Sequence, residues 1–398
     1  MRVSQNMQFY SAINNLYGSQ SQYNDLMEKL ATMKRVNRAS DDPIAAAKIV
    51  DIRQNMAAIE QYGRNMDNAN AWISATETRL SSAHDLLVSA QEIAVGQATA
   101  TATAETRRIA SHTIQSIIDE MSNLANAKFG DRHLFAGSRN DAAPFSKTLM
   151  PAKIEPARAV TGNTFQGTVL SSGAYTGELN KSLVVKITNG GALAAATYQY
   201  SADGGRTWNG SDLSLAGGSV NLGDGVELAF DDMGGTKAFG ANDVFYVHAL
   251  AGGYYGGNSE DMSVAIDRGT NIVYNISGAK AFTASGGGID IFAILDALKT
   301  ALVGNDAQGV SGQLDNLKKA QTQITLNQAL CGTKANHIEM VKNNSAEFNI
   351  KLTSLLSDAQ DADLAELATR LAMKETALHA SYAMAAKLGN TTILNFLK

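Results

Sequence analysis

Apolar positions recur every three or four residues near both ends of this chain. From Ser4 to Met33, Phe9, Ile13, Leu16, Gln20, Tyr23, Met27 and Leu30 step alternately by four and three. That is a heptad seam with one polar member, and it predicts a helix of ~43 Å. A second seam runs through Ile59, Tyr62, Met66, Ala69, Ile73, Thr76, Leu80, Ala83 and Leu87, in a helix expected to reach Gly96. Its start is marked by Ser40-Asp41-Asp42-Pro43. Asp42 can cap the exposed amides, and Pro43 suits a first turn that needs no amide donor. A third stretch, Ala104 to Lys128, carries Ile109, Ile114, Ile117, Met121 and Leu124 on one side. The biased run Ala94–Ala104 before it reads as a loop or weak helix. Towards the other end, Val310, Leu314, Leu317, Gln321, Ile324, Gln328, Cys331, Ala335 and Ile338 form a further seam continuing to Leu356. Ser357–Asp363 predicts a break and a fresh cap. The last helix then carries Leu364, Leu367, Leu371, Leu378, Tyr382 and Ala385.

Such narrow stripes are buried only against another helix. The stripes at the two extremities are natural partners, giving an antiparallel coiled-coil pair of terminal segments. At ~2 kcal/mol per well-buried Leu or Ile, two helices alone gain little. The stripes are therefore expected to be completed by neighbouring subunits.

The middle has a different period. Leu183, Val185 and Ile187 alternate with other residues, as do Tyr198 and Tyr200, then Val226, Leu228 and Phe230, then Phe245 and Val247. Asn189-Gly190-Gly191, Asp203-Gly204-Gly205 and Gly223-Asp224-Gly225 separate them, as tight turns require. Of 35 glycines, 25 lie between 151 and 290, leaving the helical stretches nearly free of breakers. The expected class is mainly α with an inserted antiparallel β domain. Its parts are a terminal coiled-coil core (1–42 with 357–398), a long-helix domain with β elements (43–150 with 251–356) and the β insertion (151–250).

Charge and chemistry narrow the function by exclusion. With 33 Lys+Arg against 38 Asp+Glu, the net charge of −5 offers no general attraction to nucleic acid or anionic lipid. The single cysteine, Cys331, allows no intramolecular disulfide and reads as a small buried apolar residue on its seam. No apolar run approaches the roughly 18 residues of a membrane span, which argues against a membrane-inserting translocator. Met1–Tyr10 has no apolar core of a secretory signal, so no cleaved leader is expected. The six histidines are scattered and read as solvated or seam-flanking. Asp358, Asp361 and Asp363 lack the glycine and glutamate of a calcium loop and read as helix caps. No catalytic, cofactor-binding or metal-binding residue is assigned, and an enzyme is not expected.

Ser201-Ala202-Asp203-Gly204-Gly205-Arg206-Thr207-Trp208 resembles the Asp-box, S-x-D-x-G-x-T-W, of sialidases and other β proteins. It predicts a turn in which Asp203 accepts backbone hydrogens, Gly205 takes positive φ, and Trp208 packs underneath. Ser201 belongs to the same turn. A secreted carbohydrate-binding protein is the weaker reading of this motif, because only one copy is present.

Several ordered segments carry a broader likeness. Arg35-Val36-Asn37-Arg38-Ala39-Ser40-Asp41-Asp42-Pro43 is similar to R-x-N-x-x-S-D-D-P. Asp131–Ser138 with Ala143-Pro144-Phe145 is similar to G-x-Y-x-F-A-G … P-F, with His133 in place of the commoner aromatic. Asp363–Glu366, Leu371–Tyr382 and the ending Ile393-Leu394-Asn395-Phe396-Leu397 (L-x-F/Y-L) follow the same pattern, and the flagellin C-terminal Q-A-N-x-x-P-Q is missing. Gly240–Val247 looks like the G-D-x-F-x-V strand of axial-protein insertions. These segments, covering about 1–150 and 251–398, resemble the flagellin-related axial proteins of the bacterial flagellum, in their hook-associated protein 3 branch. The resemblance implies a flagellin-like fold and a structural, non-catalytic junction zone between hook and filament. It adds Leu394 and Phe396 to the expected assembly surface. The implied partners are further copies of this protein, the first hook-associated protein, flagellin, an export chaperone on the C-terminal helix and the flagellar type III export apparatus. The implied location is the extracellular flagellum. A minor or divergent flagellin is the alternative.

Overall fold

The computed structural model describes residues 5–177, 179–284 and 288–396. The helices are α1 (Gln5–Thr32), α2 (Pro43–Gln97), α3 (Ala104–Ala125), α4 (Gly278–Phe282), α5 (Ile291–Val303), α6 (Ala307–Gly312), α7 (Leu314–Gln360) and α8 (Leu364–Phe396). The polypeptide divides into two compact units, Met1–Gly63 with Lys342–Lys398 and Arg64–Val341. The boundary falls within α2 and α7.

In the first unit, α1 packs on α8. Tyr382 Oη donates to Gln20 Oε1 at 2.8 Å and Lys374 Nζ donates to Gln22 Oε1 at 2.6 Å, so the two helices run antiparallel. α1 stops at Met33, whose left-handed φ of +56° terminates a helix. A small core of Val36, Ala45, Ile49 and Ala359 follows, flanked by Ala46 and Leu356.

The second unit is built on the expected seams. Met66, Ala69, Ile73, Leu80, Ala83 and Leu87 of α2 are buried, as are Leu317, Ile324, Cys331 and Ile338 of α7. α3 contributes Ala110, Ile114, Ile117, Met121 and Leu124. Ile109, expected on that stripe, is exposed because the buried face begins at Arg107 and Ala110, one position away on the helical wheel. Val310 is buried on the separate short helix α6, since the backbone turns at Gln313 before α7 begins. α5, with Ile291, Phe292, Leu295, Leu298 and Leu302 buried, was not read from the periodicity. α2 continues helical to Gln97, leaving a shorter link to α3 than the biased run suggested.

Strands precede and build the glycine-rich part. They are β1 (Lys128–Phe129), β2 (Arg132–His133), β3 (Phe145–Met150), β4 (Lys153–Ile154), β5 (Arg158–Ala159), β6 (Thr168–Gly173), β7 (Lys181–Asn189), β8 (Thr197–Ser201), β9 (Asn209–Ser214), β10 (Ser219–Gly223), β11 (Val226–Asp231), β12 (Val244–Leu250), β13 (Gly253–Tyr255), β14 (Ser263–Asp267) and β15 (Thr270–Val273). One sheet has the order β4-β12-β7-β8-β9 with β5 also on β12, and a second has the order β10-β11-β6; all pairings are antiparallel. Both sheets share one core, in which Leu183, Val185, Ile187, Val226, Leu228, Phe230, Phe245 and Val247 meet Phe165 and Phe239. Phe165 stacks on Phe239 at 4.0 Å. Buried Asp243 explains the G-A-N-D-V-F segment. Its carboxylate accepts the N–H groups of Thr164, Phe165 and Gly240, at 2.7, 2.9 and 2.8 Å, so one residue satisfies three donors that would otherwise be unpaired. The described residues are thus helical from Gln5 and up to Phe396 and through much of the length between, with antiparallel sheets in the middle.

Candidate assembly interface

The proline-containing segment before α2 is a compact knot. Asp41 Oδ2 accepts the N–H groups of Asn37 and Arg38, both at 2.9 Å. Asp42 Oδ1 accepts the Ala45 N–H at 3.0 Å, and Pro43 is the first residue of α2. These bonds favour the ionised forms. The N–H of Arg38 chiefly lowers the Asp41 pKa, and that of Ala45 chiefly lowers the Asp42 pKa. Arg35 joins this knot to the distant end of α7. Its N–H donates to the Gln360 carbonyl at 2.7 Å, and its guanidinium donates to the Ala359 carbonyl at 2.9 Å. The motif residues are therefore explained by local hydrogen bonding, not by reactive chemistry.

The α1–α8 stripes are only partly covered. Leu367 and Leu378 are buried at 8% and 7% exposure, whereas Met27, Leu364 and Tyr382 stand at 43%, 45% and 47%. Ile13, Leu16, Tyr23, Leu30 and Leu371 are half-buried. The side groups of Phe9, Leu394 and Phe396 lie outside the described residues. Tyr17, Ile350, Met373 and Met384 add exposed apolar surface in the same unit. Of the three aspartates before α8, Asp363 caps it through the N–H groups of Ala365 and Glu366, at 2.8 and 3.1 Å. Asp361 instead accepts the Ser357 hydroxyl at 2.6 Å, just past the end of α7. The cap expected at Asp361 is therefore absent, and no capping bond involves Asp358 among the described residues.

The Asp-box is a closed turn. Asp203 Oδ1 accepts the Ser201 hydroxyl and the N–H groups of Arg206 and Thr207, while Oδ2 accepts the Thr207 hydroxyl at 2.6 Å. Partial burial alone would raise its pKa, but these donors from Ser201, Thr207 and Arg206 bring it down to about 2. Gly205 takes φ of +96°. Both carboxylate oxygens are occupied, so neither is free for a sugar. Trp208 lies against the turn, its Cζ2 3.6 Å from where a Cβ on Gly205 would sit, but is only partly covered. It is 37% exposed, with Lys186 Nζ 6.0 Å from its ring centre, because it leads into β9 at the edge of the sheet.

Two histidines correct the solvated reading. His133 is buried, with Nδ1 2.7 Å from the Asn126 carbonyl. His248 is half-buried, with Nδ1 2.9 Å from Ser182 Oγ. Burial lowers the His248 pKa below 6.5. Arg139 and Arg158 push it the same way, against Glu155 and Glu260. Below pH 6.5 the unfolded state therefore binds the proton first. Stability is expected to fall as pH drops through 6.5 and to level off below the folded value. Urea midpoints across that range should show this slope, and His248→Gln should flatten it. Cys331 is buried, which pushes its thiol up to about 11 and keeps it protonated at neutral pH. Among the described residues no cluster of three metal-ligating residues occurs, and no helix is long and apolar enough to cross a membrane.

Residues 3–140 match the bacterial flagellin N-terminal helical region. Flagellar hook-associated protein 3 of Salmonella typhimurium is 34% identical over 148 residues, which are 37% of this chain and 47% of the relative. The protein thus spans about half the length of that relative in the matched part. A flagellin of Clostridium tyrobutyricum is 24% identical over 414 positions, covering 98% of this chain and 100% of the relative. A solved flagellar hook-associated protein from Vibrio parahaemolyticus has a similar fold, with a TM-score of 0.51 at 16% identity over 81% of this chain and 100% of that one. The likeness expected from the motifs is thereby borne out: in its N-terminal third this protein resembles the flagellin-related axial proteins, and among them flagellar hook-associated protein 3.

Proposed function

We propose that this protein is a non-catalytic structural subunit of the bacterial flagellum, forming the junction between hook and filament by self-assembly of its terminal helices. The observation that carries this reading is the incomplete covering of the α1 and α8 stripes, where Met27, Leu364 and Tyr382 stay nearly half exposed. Large apolar residues aligned on a helix favour further burial, at ~2 kcal/mol per residue fully covered. Supporting it is the similarity to hook-associated protein 3 of Salmonella typhimurium. In this reading residues 1–42 with 357–398 form a coiled-coil core around the axis. Residues 43–150 with 251–356 form the wall, and 151–250 project outward. The neighbours are further copies of the protein, the first hook-associated protein on one side and flagellin on the other. A type III apparatus exports the subunit, with a chaperone on α8, and it resides in the extracellular flagellum.

Leu378→Asp tests this. A carboxylate on a nearly buried stripe position cannot be desolvated cheaply. Incorporation at the junction is expected to be lost, while the Arg64–Val341 unit keeps its unfolding transition. Normal motility and filament attachment with this variant would refute the reading. The end-to-end alignment with the Clostridium tyrobutyricum flagellin favours a second reading, a filament subunit. Growth of long filaments from the purified protein alone would select it.

A further inference from the structure

The sequence holds two Asn-Gly dipeptides, Asn189-Gly190 and Asn209-Gly210. Both asparagines are exposed, yet the structure treats them differently. Asn189 Nδ2 donates to Thr197 Oγ1 at 3.0 Å and to Asp212 Oδ1 at 3.3 Å. The backbone after it is clamped, because Gly191 and Phe239 exchange two N–H···O bonds of 2.9 and 2.8 Å. A Cβ on Gly190 would lie 2.5 Å from the Phe239 carbonyl.

Asn209 opens β9, whose residues are all exposed. Its amide group has no hydrogen-bond partner among the described residues. The ladder fails next to it. Tyr200 pairs with Asn209 and Tyr198 with Leu213, so a step of two on β8 faces a step of four on β9. The bulge holds Gly210 at φ +74° and Asp212 at φ +54°. Bulged residues leave the regular ladder, so fewer backbone hydrogen bonds must break before this segment can rearrange.

We propose that Asn209 is the site at which this protein spontaneously converts an asparagine to aspartate and isoaspartate. The Gly210 backbone nitrogen attacks Cγ, the amide carbon of Asn209. A bond forms between Cγ and the Gly210 nitrogen, the bond between Cγ and Nδ2 breaks, and ammonia leaves with the proton from the Gly210 nitrogen. Water then opens the cyclic imide at either carbonyl. Glycine matters because nothing beyond its Cα obstructs the attacking nitrogen. Asn189 resists because two hydrogen bonds and a clamped turn must break first. The product places a new carboxylate at the sheet edge beside Trp208. In the isoaspartate form it also lengthens the backbone opposite Tyr200, so the modification marks and loosens the exposed edge of the insertion.

The full-length protein is incubated folded at mildly alkaline pH, and in parallel in denaturant. Trypsin then cuts after Lys186, Arg206 and Lys237, placing Asn189 and Asn209 on separate peptides for mass and isoaspartate analysis. In the folded protein Asn209 should convert about tenfold or more faster than Asn189, the ratio expected when about two hydrogen bonds must break first. In denaturant the two rates should converge. Asn209→Gln should remove the change from the Thr207–Lys237 peptide, and Thr197→Val should speed conversion at Asn189. Equal rates in the folded protein, faster conversion at Asn189, or an amide at Asn209 that persists when folded but converts in denaturant would each overturn the proposal.

Discussion

Replacing Gly137 with alanine is expected to destabilise the Arg64–Val341 unit by about 2–5 kcal/mol, combining left-handed strain with overpacking. Gly137 has φ of +70°, and a Cβ there would lie 2.0 Å from Asn258 Oδ1 and 2.4 Å from its backbone oxygen. Asn258 cannot yield. Its Oδ1 accepts the Ser138 N–H at 2.9 Å, and its Nδ2 donates to Ser138 Oγ and Ser182 Oγ at 2.8 and 3.0 Å. Its own N–H donates to the Ala136 carbonyl at 3.1 Å. Behind it, Tyr255 Oη donates to the carbonyls of Phe135 and Asn258, and the Phe135 ring sits edge-on to Phe282 at 5.0 Å. Gly130 supplies the control: its φ is +59°, but nothing lies within 4 Å of a Cβ. Gly130→Ala should therefore carry only the strain, about 1–2 kcal/mol. Urea titration of both variants separates the two contributions, and equal losses would remove the steric argument.

Arg107→Ala is expected to cost about 3–5 kcal/mol, because it removes three charge-assisted hydrogen bonds and the packing of a buried side chain at once. The buried guanidinium donates through Nε to the Gln97 carbonyl at 3.0 Å, through one terminal nitrogen to the Thr99 carbonyl at 2.9 Å and through the other to Asn305 Oδ1 at 2.6 Å. It thereby ties the turn between α2 and α3 to the turn between α5 and α6, where Asn305 holds φ of +52°. Lysine has one compact ammonium and cannot span this fork. Arg107→Lys should retain most of the loss. Full recovery by lysine in urea unfolding would mean that charge, not the three-way fork, sets the stability.

The elements with long periodic seams were legible because the direction of a residue on a helix follows spacing alone. Leu80, Leu87, Ile324 and Ile338 are buried where the three-four pattern put them, and Leu183, Val185 and Val247 where the period of two put them. α5 was missed, although Asp290 caps it through the Ala293 N–H at 3.0 Å and Gly304 follows it. Its signal was a cap and a dense apolar run of only 13 residues, not a long narrow stripe. Arg107 and Asn258 had no such signal. Each acts by joining segments far apart in the sequence, as in the pairing of Arg107 with Asn305, and spacing along one helix cannot report that. The partial exposure of Trp208 had no signal for a related reason: the turn chemistry of the Asp-box is local, but how far its tryptophan is covered depends on being at a sheet edge. In the candidate interface, the stripes themselves were legible. How much of each stripe α8 would cover was a matter of tertiary packing.

The knot at Arg35 also dictates when folding can finish. Lys34 and Asp361 form an isolated antiparallel bridge, and the Ala362 N–H donates to the Met33 carbonyl at 3.1 Å. This clasp joins points separated by most of the polypeptide, and closing so long a loop carries an entropic cost that rises by only about 0.6 kcal/mol per doubling of length. Yet it has no second half until Asp361 and Ala362 have been made. On a ribosome, α1 must wait for α8, whereas the Arg64–Val341 unit has its own core and can order earlier.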